Sequence, residues 1–415
     1  MTNPLAVDPD VEMLTTDNGL RVVCHRVAGA AVDYFGVVVD AGSRDDPDDD
    51  LGLAHFVEHT LFKGTPRRRS WHIINRMESC GGELNAYTTK ESTTIYSVAP
   101  AGNISRSMEL IADLTMNSIF PKGELDKERE VVADEINSYL DMPSEAVVDD
   151  FEDLIFEGTP LGHNILGNVD SVSHFDSATC RDYLRRHYVA DKMVVFYSGA
   201  EKAERILRLA SRYFNSLPQN SEYMRERLSI EAVNRFDIRR ELSIHQSHTI
   251  MGARVFDMYD PRRFALAVVV NILGGPGMNS LLNVELRERR GLVYAVDAST
   301  SLLTDAGLFT VYLGCDPDDS ARCRQLVGTT IDRLADKPLT ERRLSAVLRQ
   351  YAGQMTVASE NRENLIMSLG RQALYRGRLT PRREIVERIR SLTADDLCDV
   401  ARLISSDRLS SLTFC

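Results

Sequence analysis

An α+β fold of two homologous domains, each a mostly antiparallel sheet flanked by helices, is the expectation from three features of this chain. Its 415 residues exceed what one ordinary core holds and suit two domains of roughly 200 residues each. Short segments of strand character are interleaved with longer ones of helical period. After a polar break near the middle, the same order of elements begins again.

Residues 20–27 and 32–40 are rich in Val and aromatics and close at the turn Ala41-Gly42-Ser43, which reads as two strands. Apolar residues at Leu53, Phe56, Val57 and Leu61 then follow a helical period, and a second helix over 71–80 stops at Gly81-Gly82. Strands near 84–89 and 93–99 lead into a series of helices running to about residue 186. A strand at 193–198 and a helix at 203–214 complete the half.

Residues 217–227 lapse into Pro, Gln, Asn, Ser and Glu, the composition of a linker. The boundary placed there gives domains 1–217 and 228–415. Beyond it come strands near 238–242 and 248–255, helices from Pro261 and Asn279, and strands at 293–300 and 308–313. Sliding one half on the other by about 209 residues sets Gly82 on Gly291 and Leu84 on Val293. Under that shift His55, Glu58 and His59 fall on Phe264, Ala267 and Val268, so any chemistry at these positions belongs to the first half.

Composition narrows the function. With 43% hydrophobic and 27% charged residues the chain reads as a globular protein. No run approaches the roughly 18 apolar residues of a membrane span, and the N-terminal stretch carries acids where a signal peptide needs a basic start. A net charge of -12 argues against a nucleic-acid partner. Seven scattered cysteines without a CxxC pair suggest neither a disulfide framework nor a cysteine metal site, which fits a reducing, bacterial-type cytoplasm.

Chemistry concentrates in Leu53–Phe62, where His55 and His59 stand four apart on one helical face and can converge on one metal, with Glu58 beside them. The same pair also fits two half-buried structural histidines, although the HxxEH spacing arises by chance only about once in a hundred such chains. Catalytic zinc sites keep one position open for water, so two histidines need one more protein ligand. A helix over 124–140, begun after Pro121 and stopped before Pro143, carries Glu128 and Glu135 seven apart on one face. Either could be that ligand.

These motifs make the chain resemble the pitrilysin or insulinase family of metallopeptidases, which includes mitochondrial processing peptidase and bacterial relatives. The likeness extends over nearly the whole length, through GTP at Gly64, GGELNAYT from Gly81, Pro160-Leu161-Gly162, and LRERRGLVY from Leu286. In that family an inverted zinc motif is followed roughly 70 to 80 residues later by a Glu ligand, and Glu135 lies 76 positions after His59. The resemblance therefore implies one zinc ion per chain on His55, His59 and Glu135, with Glu128 as the supporting acid. It implies Glu58 as the base that takes a proton from water as the peptide carbonyl is attacked. The activity implied is that of a zinc endopeptidase acting on unfolded peptides or oligopeptides in an enclosed chamber. A non-catalytic scaffold or peptide-binding subunit, which the family also contains, is the competing reading; the intact Glu58 speaks against it.

By the same resemblance, the strand holding Asn85 and Ala86 pairs with an extended substrate. Arg287 and Tyr294 match the pair that binds substrate and stabilises the oxyanion. Gly274 and Gly275 match a glycine-rich substrate loop, from which the chain departs at Pro276 and Leu282. Two domains are half of the four that close a chamber, so a homodimer is expected, each site joining His55, His59 and Glu135 of one subunit to Arg287 and Tyr294 of the other. A heterodimer with an inactive sister chain is the alternative. The acidic balance suggests basic, presequence-like peptides as substrates, with no nucleic acid and no membrane among the partners.

Overall fold

In the computed structural model, residues 10–220, 225 and 235–415 are described. The N-terminal stretch before residue 10 and most of the linker read at 217–227 lie outside them. Two compact units emerge: one comprises 1–137, 163–225 and 358–382, the other 138–162, 226–357 and 383–415.

The first unit is built on a six-stranded sheet. Its strands are β1 (Val11–Thr15), β2 (Arg21–Arg26), β3 (Val32–Val39), β4 (Glu83–Thr88), β5 (Thr93–Pro100) and β6 (Met193–Gly199), in the order β1-β2-β6-β3-β5-β4. Only β2 and β6 pair in parallel. The second unit holds β7 (Asp237–Arg240), β8 (Ser247–Val255), β9 (Val293–Leu302), β10 (Gly307–Cys315) and β11 (Ser410–Phe414), in the order β7-β11-β8-β10-β9 with β7 and β11 parallel. Leaving out β1, the two strand orders are the same: in each, an early strand runs parallel to the unit's last, and the remaining pairs are antiparallel. The expected fold class, two related and mostly antiparallel sheets flanked by helices, is what the chain adopts.

The segment order of each unit places β4 and β9 at sheet edges. Helices α1 (Leu53–Thr60), α2 (Ser70–Glu78) and α3 (Ile104–Asn117) lie in the first unit, α4 (Lys122–Leu140) begins in it, and α5 (Pro143–Ile155) belongs to the second. On α1, Leu53, Phe56 and Val57 are almost wholly buried in the core with Val37, Val39 and Phe175, each contributing about 1.5–3 kcal/mol by burial. This apolar anchorage fixes the opposite face, which carries His55, Glu58 and His59. The helix start needs help, because its N-cap, Gly52, has no side chain and sits at φ 93°. Asp46 supplies the cap, its two carboxylate oxygens accepting from the Gly52 and Ala54 amides at 2.8 Å each.

Next to that cap, Arg225 donates to both oxygens of Asp45 (2.8 and 2.6 Å) and to the Glu91 carbonyl (3.1 Å), and pairs with Asp40 at 2.8 Å. The Asp45 side chain is fully buried. Arg225→Ala would leave that carboxylate without its guanidinium, and a loss of about 3–5 kcal/mol in unfolding free energy is expected from denaturant titration. Unchanged stability would contradict the assignment of this cluster as an ionic latch.

Burial also pushes the His187 imidazole down, from 6.5 to about 4. The folded chain then carries it neutral where the unfolded chain is protonated. Its stabilising contribution is complete above pH 6.5 and drains as pH falls toward 4, by about 1.4 kcal/mol per pH unit. Melting curves across that window should flatten in His187→Gln; parallel curves for the two proteins would exclude His187 as the source.

Candidate metal centre

Four turns of two helices build the site. His55 and His59 project one turn apart from α1, their rings 4.5 Å between centroids at 62°. Helix α4 starts behind Pro121, whose carbonyl accepts from Glu124 and Leu125, and brings Glu128 and Glu135 to the histidines. Glu135 Oε2 lies 3.4 Å from His59 Nε2 and 3.9 Å from His55 Nε2. One donor atom from each of the three residues falls within 4.8 Å of the others. Ligand atoms about 2.0–2.1 Å from a tetrahedral ion stand roughly 3.3 Å apart, so the triangle is already near the size that zinc requires.

The donor chemistry agrees. Burial, with the neighbouring His59, pushes His55 down to about 3, which keeps it neutral and able to ligate. His59 Nδ1 lies 3.0 Å from Glu128 Oε1. With the proton on Nδ1, this hydrogen bond leaves Nε2, the nitrogen facing Glu135, free for a metal. Burial works against a charge on His59, but the hydrogen bond to Glu128 and the carboxylates of Glu58 and Glu135 outweigh it and raise its pKa. Glu128 is buried too, yet His59 and Lys63, whose Nζ is 2.6 Å from Oε2, hold its carboxyl below the usual range. Glu58, Glu128 and Glu135 thus surround two imidazoles with negative charge suited to a divalent cation. His55, His59 and Glu135 fit zinc.

Glu58 is 8% exposed, and its Oε2 accepts from the Thr88 hydroxyl at 2.8 Å. Burial raises its pKa, with the Thr88 hydrogen bond opposing. Thr88 was not singled out from the sequence; the available signal was its place in GGELNAYT, on the same strand face as Leu84 and Ala86. Lys63, one helical turn beyond His59, was missed because a lone lysine carries no signature.

Asn85 is exposed and Ala86 half-buried on the edge strand β4. In the second unit, Arg287 is exposed on a π-helical turn, Asn283–Glu288, and Tyr294 is 44% exposed on the edge strand β9. Gly274 ends the helix Arg263–Gly274, and a side chain at it or at Gly275 would collide with Ala298 or Asn271, so both glycines are required by packing. The place of α1 in the second unit is taken by this helix, where Val268 is plain core.

Two helices that converge a His-His-Glu donor set beside a buried carboxylate, in a fold whose second copy lacks that set among the described residues, define a metallopeptidase of the inverted-motif type. The insulinase model, peptidase family M16, matches residues 21–169, and the peptidase M16 inactive domain model matches 174–351. An uncharacterised zinc protease of Streptomyces coelicolor is 30% identical over 407 residues, spanning 96% of this chain and 88% of that one. A probable mitochondrial-processing peptidase subunit beta of Arabidopsis thaliana is 28% identical over 420 residues, spanning 98% and 78%. Among solved structures, a peptidase M16 inactive domain from Pseudomonas fluorescens superposes with a TM-score of 0.90 at 18% identity, covering 97% of each chain, which bears on the fold. The chain belongs to peptidase family M16, the insulinase family, and is a zinc metallopeptidase. Among the described residues, no helix is long and apolar enough to cross a membrane.

Proposed function

We propose that this protein is a zinc endopeptidase that cuts unfolded peptides or oligopeptides held as an added strand, with His55, His59 and Glu135 as the ligands and Glu58 as general base. The observation that carries the reading is the Glu58 carboxylate, buried on the helix that bears both histidines, acting on the His59 imidazole and held by Thr88. Zinc, when bound, supplies a Lewis acid that brings the pKa of water toward 7 and polarises a carbonyl. Glu58 takes the proton of the attacking water and hands it to the leaving amine. Thr88 anchors the carboxylate through Oε2. Glu128 fixes the His59 ring through Nδ1.

Substrate enters as a strand along β4, where Asn85 and Ala86 lie on an unpaired edge; main-chain pairing tolerates many sequences. Arg287 and Tyr294 bind substrate and steady the oxyanion, with Gly274 and Gly275 shaping the neighbouring loop. Both surface residues are exposed, as such roles need. Two copies of the chain, each with domains 1–217 and 228–415, form a homodimer whose enclosed sites each draw on both subunits, and the acidic balance favours basic peptides. The cytoplasm is the proposed compartment, in line with seven free cysteines, six of them buried.

Hydrolysis of an internally quenched, unstructured peptide by the purified chain tests the reading. Activity should fall to background with a zinc chelator and return on adding zinc. Cleavage indifferent to chelation would overturn it, and light scattering that shows an active monomer would remove the dimer.

A further inference from the structure

Tyr294 has surroundings that its exposure does not require. In the second sheet, β10 lies between β8 and β9. Its Gly314 pairs with Ala295 on β9 and with His248 on β8. The Tyr294 ring lies across that glycine: a Cβ on Gly314 would come to 2.3 Å from the ring's Cζ and 2.4 Å from its hydroxyl oxygen. Laid over the bare backbone, the ring carries its Oη to 3.5 Å from His248 Nδ1 and 3.3 Å from Tyr312 Oη. His248 Nδ1 and Tyr312 Oη are themselves 2.9 Å apart. Tyr312 precedes Gly314 by two residues, so both face the same side of the sheet.

Three polar groups in mutual reach share few protons, and their order decides what Tyr294 can do. If Tyr312 donates to His248, its contact with Tyr294 is a hydrogen bond only when Tyr294 donates its own proton to Tyr312. If His248 Nδ1–H donates to Tyr312, Tyr312 donates to Tyr294, and the Tyr294 proton stays free to point outward. Only the second order suits a phenol that meets a developing oxyanion.

We propose that His248, Tyr312 and Gly314 are positioning residues for Tyr294: the glycine beds its ring, and the His248–Tyr312 pair orients its hydroxyl so that the proton is donated to substrate. The inference rests on the reading of Tyr294 as a substrate-facing residue. It adds three positions that act on the reaction through another side chain.

Steady-state kinetics of the full chain on the quenched peptide test it, using Tyr294→Phe, Tyr312→Phe, Gly314→Ala, His248→Leu and His248→Gln. Tyr312→Phe removes one oxygen and leaves the packing; it should lower kcat about tenfold while KM stays within about twofold, the loss of one aligned hydrogen bond. Gly314→Ala should lose at least as much, by lifting the ring. His248→Gln, whose amide can still donate, should recover much of what His248→Leu loses. In the Tyr294→Phe background, adding Tyr312→Phe should change kcat less than about twofold, because the group it orients is gone. Losses that multiply in the double variant, or Tyr312→Phe and Gly314→Ala at wild-type kcat beside an impaired Tyr294→Phe, would overturn the proposal and leave Tyr294's role standing. Wild-type kcat in Tyr294→Phe would remove both, with the metal centre unaffected.

Discussion

Glu58→Gln is expected to retain zinc and fold normally while kcat falls by about 10²–10⁴, the usual contribution of a general base. The substitution is nearly isosteric, and an amide oxygen can still accept from the Thr88 hydroxyl that now sits 2.8 Å from Oε2. What disappears is the proton acceptor next to the two imidazoles. Because Glu58 is not one of the three converging donors, metal content and melting temperature should match the parent. Metal analysis alongside peptide hydrolysis checks both halves of the expectation. Cleavage at the parental rate would assign the proton to another group and reopen the scaffold reading.

Glu135→Ala is expected to lose the metal, and the activity with it. The remaining histidines give two protein ligands where a catalytic zinc site has three. The triangle closed at 3.4 and 3.9 Å by Glu135 Oε2 has then no anionic corner. Glu128→Gln should act more mildly, weakening metal affinity by about 10–100-fold, since it touches the ion only through the His59 ring. The ranking itself is the test: dialysis against a competing chelator should strip Glu135→Ala first, Glu128→Gln next and the parent last. If Glu128→Gln lost zinc before Glu135→Ala, the two acids would exchange roles.

The pair of acids also shows where the sequence runs out. His55 and His59 were legible because four residues on a helix return to the same face, a local rule that α1 obeys. Glu128 and Glu135 satisfy the same rule on α4, which left the third ligand open until the family resemblance chose between them. What separates them is tertiary: one meets Nδ1 of His59 and the other Nε2. Thr88 escaped for the same reason, its strand position being readable and its partner 30 residues away being invisible.

At the level of fold, alternation and turn signals located β2 to β10 within a residue or two. The short β1 and β11 were not seen. Helical period likewise says nothing about which sheet a helix serves. Segments 138–162 and 358–382 each join the unit that does not flank them in sequence. Phe151 of α5 packs with Leu412 of the second sheet, and Ile366 of the helix Arg362–Arg376 packs with Val194 of the first. Such exchanges are written in contacts between distant residues and in no local pattern.

Zinc K-edge X-ray absorption of the zinc-loaded protein probes the coordination directly. Two imidazole nitrogens and one carboxylate oxygen at about 2.0–2.2 Å, a further light-atom ligand, and no sulfur are expected. A sulfur shell at about 2.3 Å, or imidazole scattering unchanged when His55 and His59 are both replaced, would place the metal elsewhere in the chain and contradict the centre described.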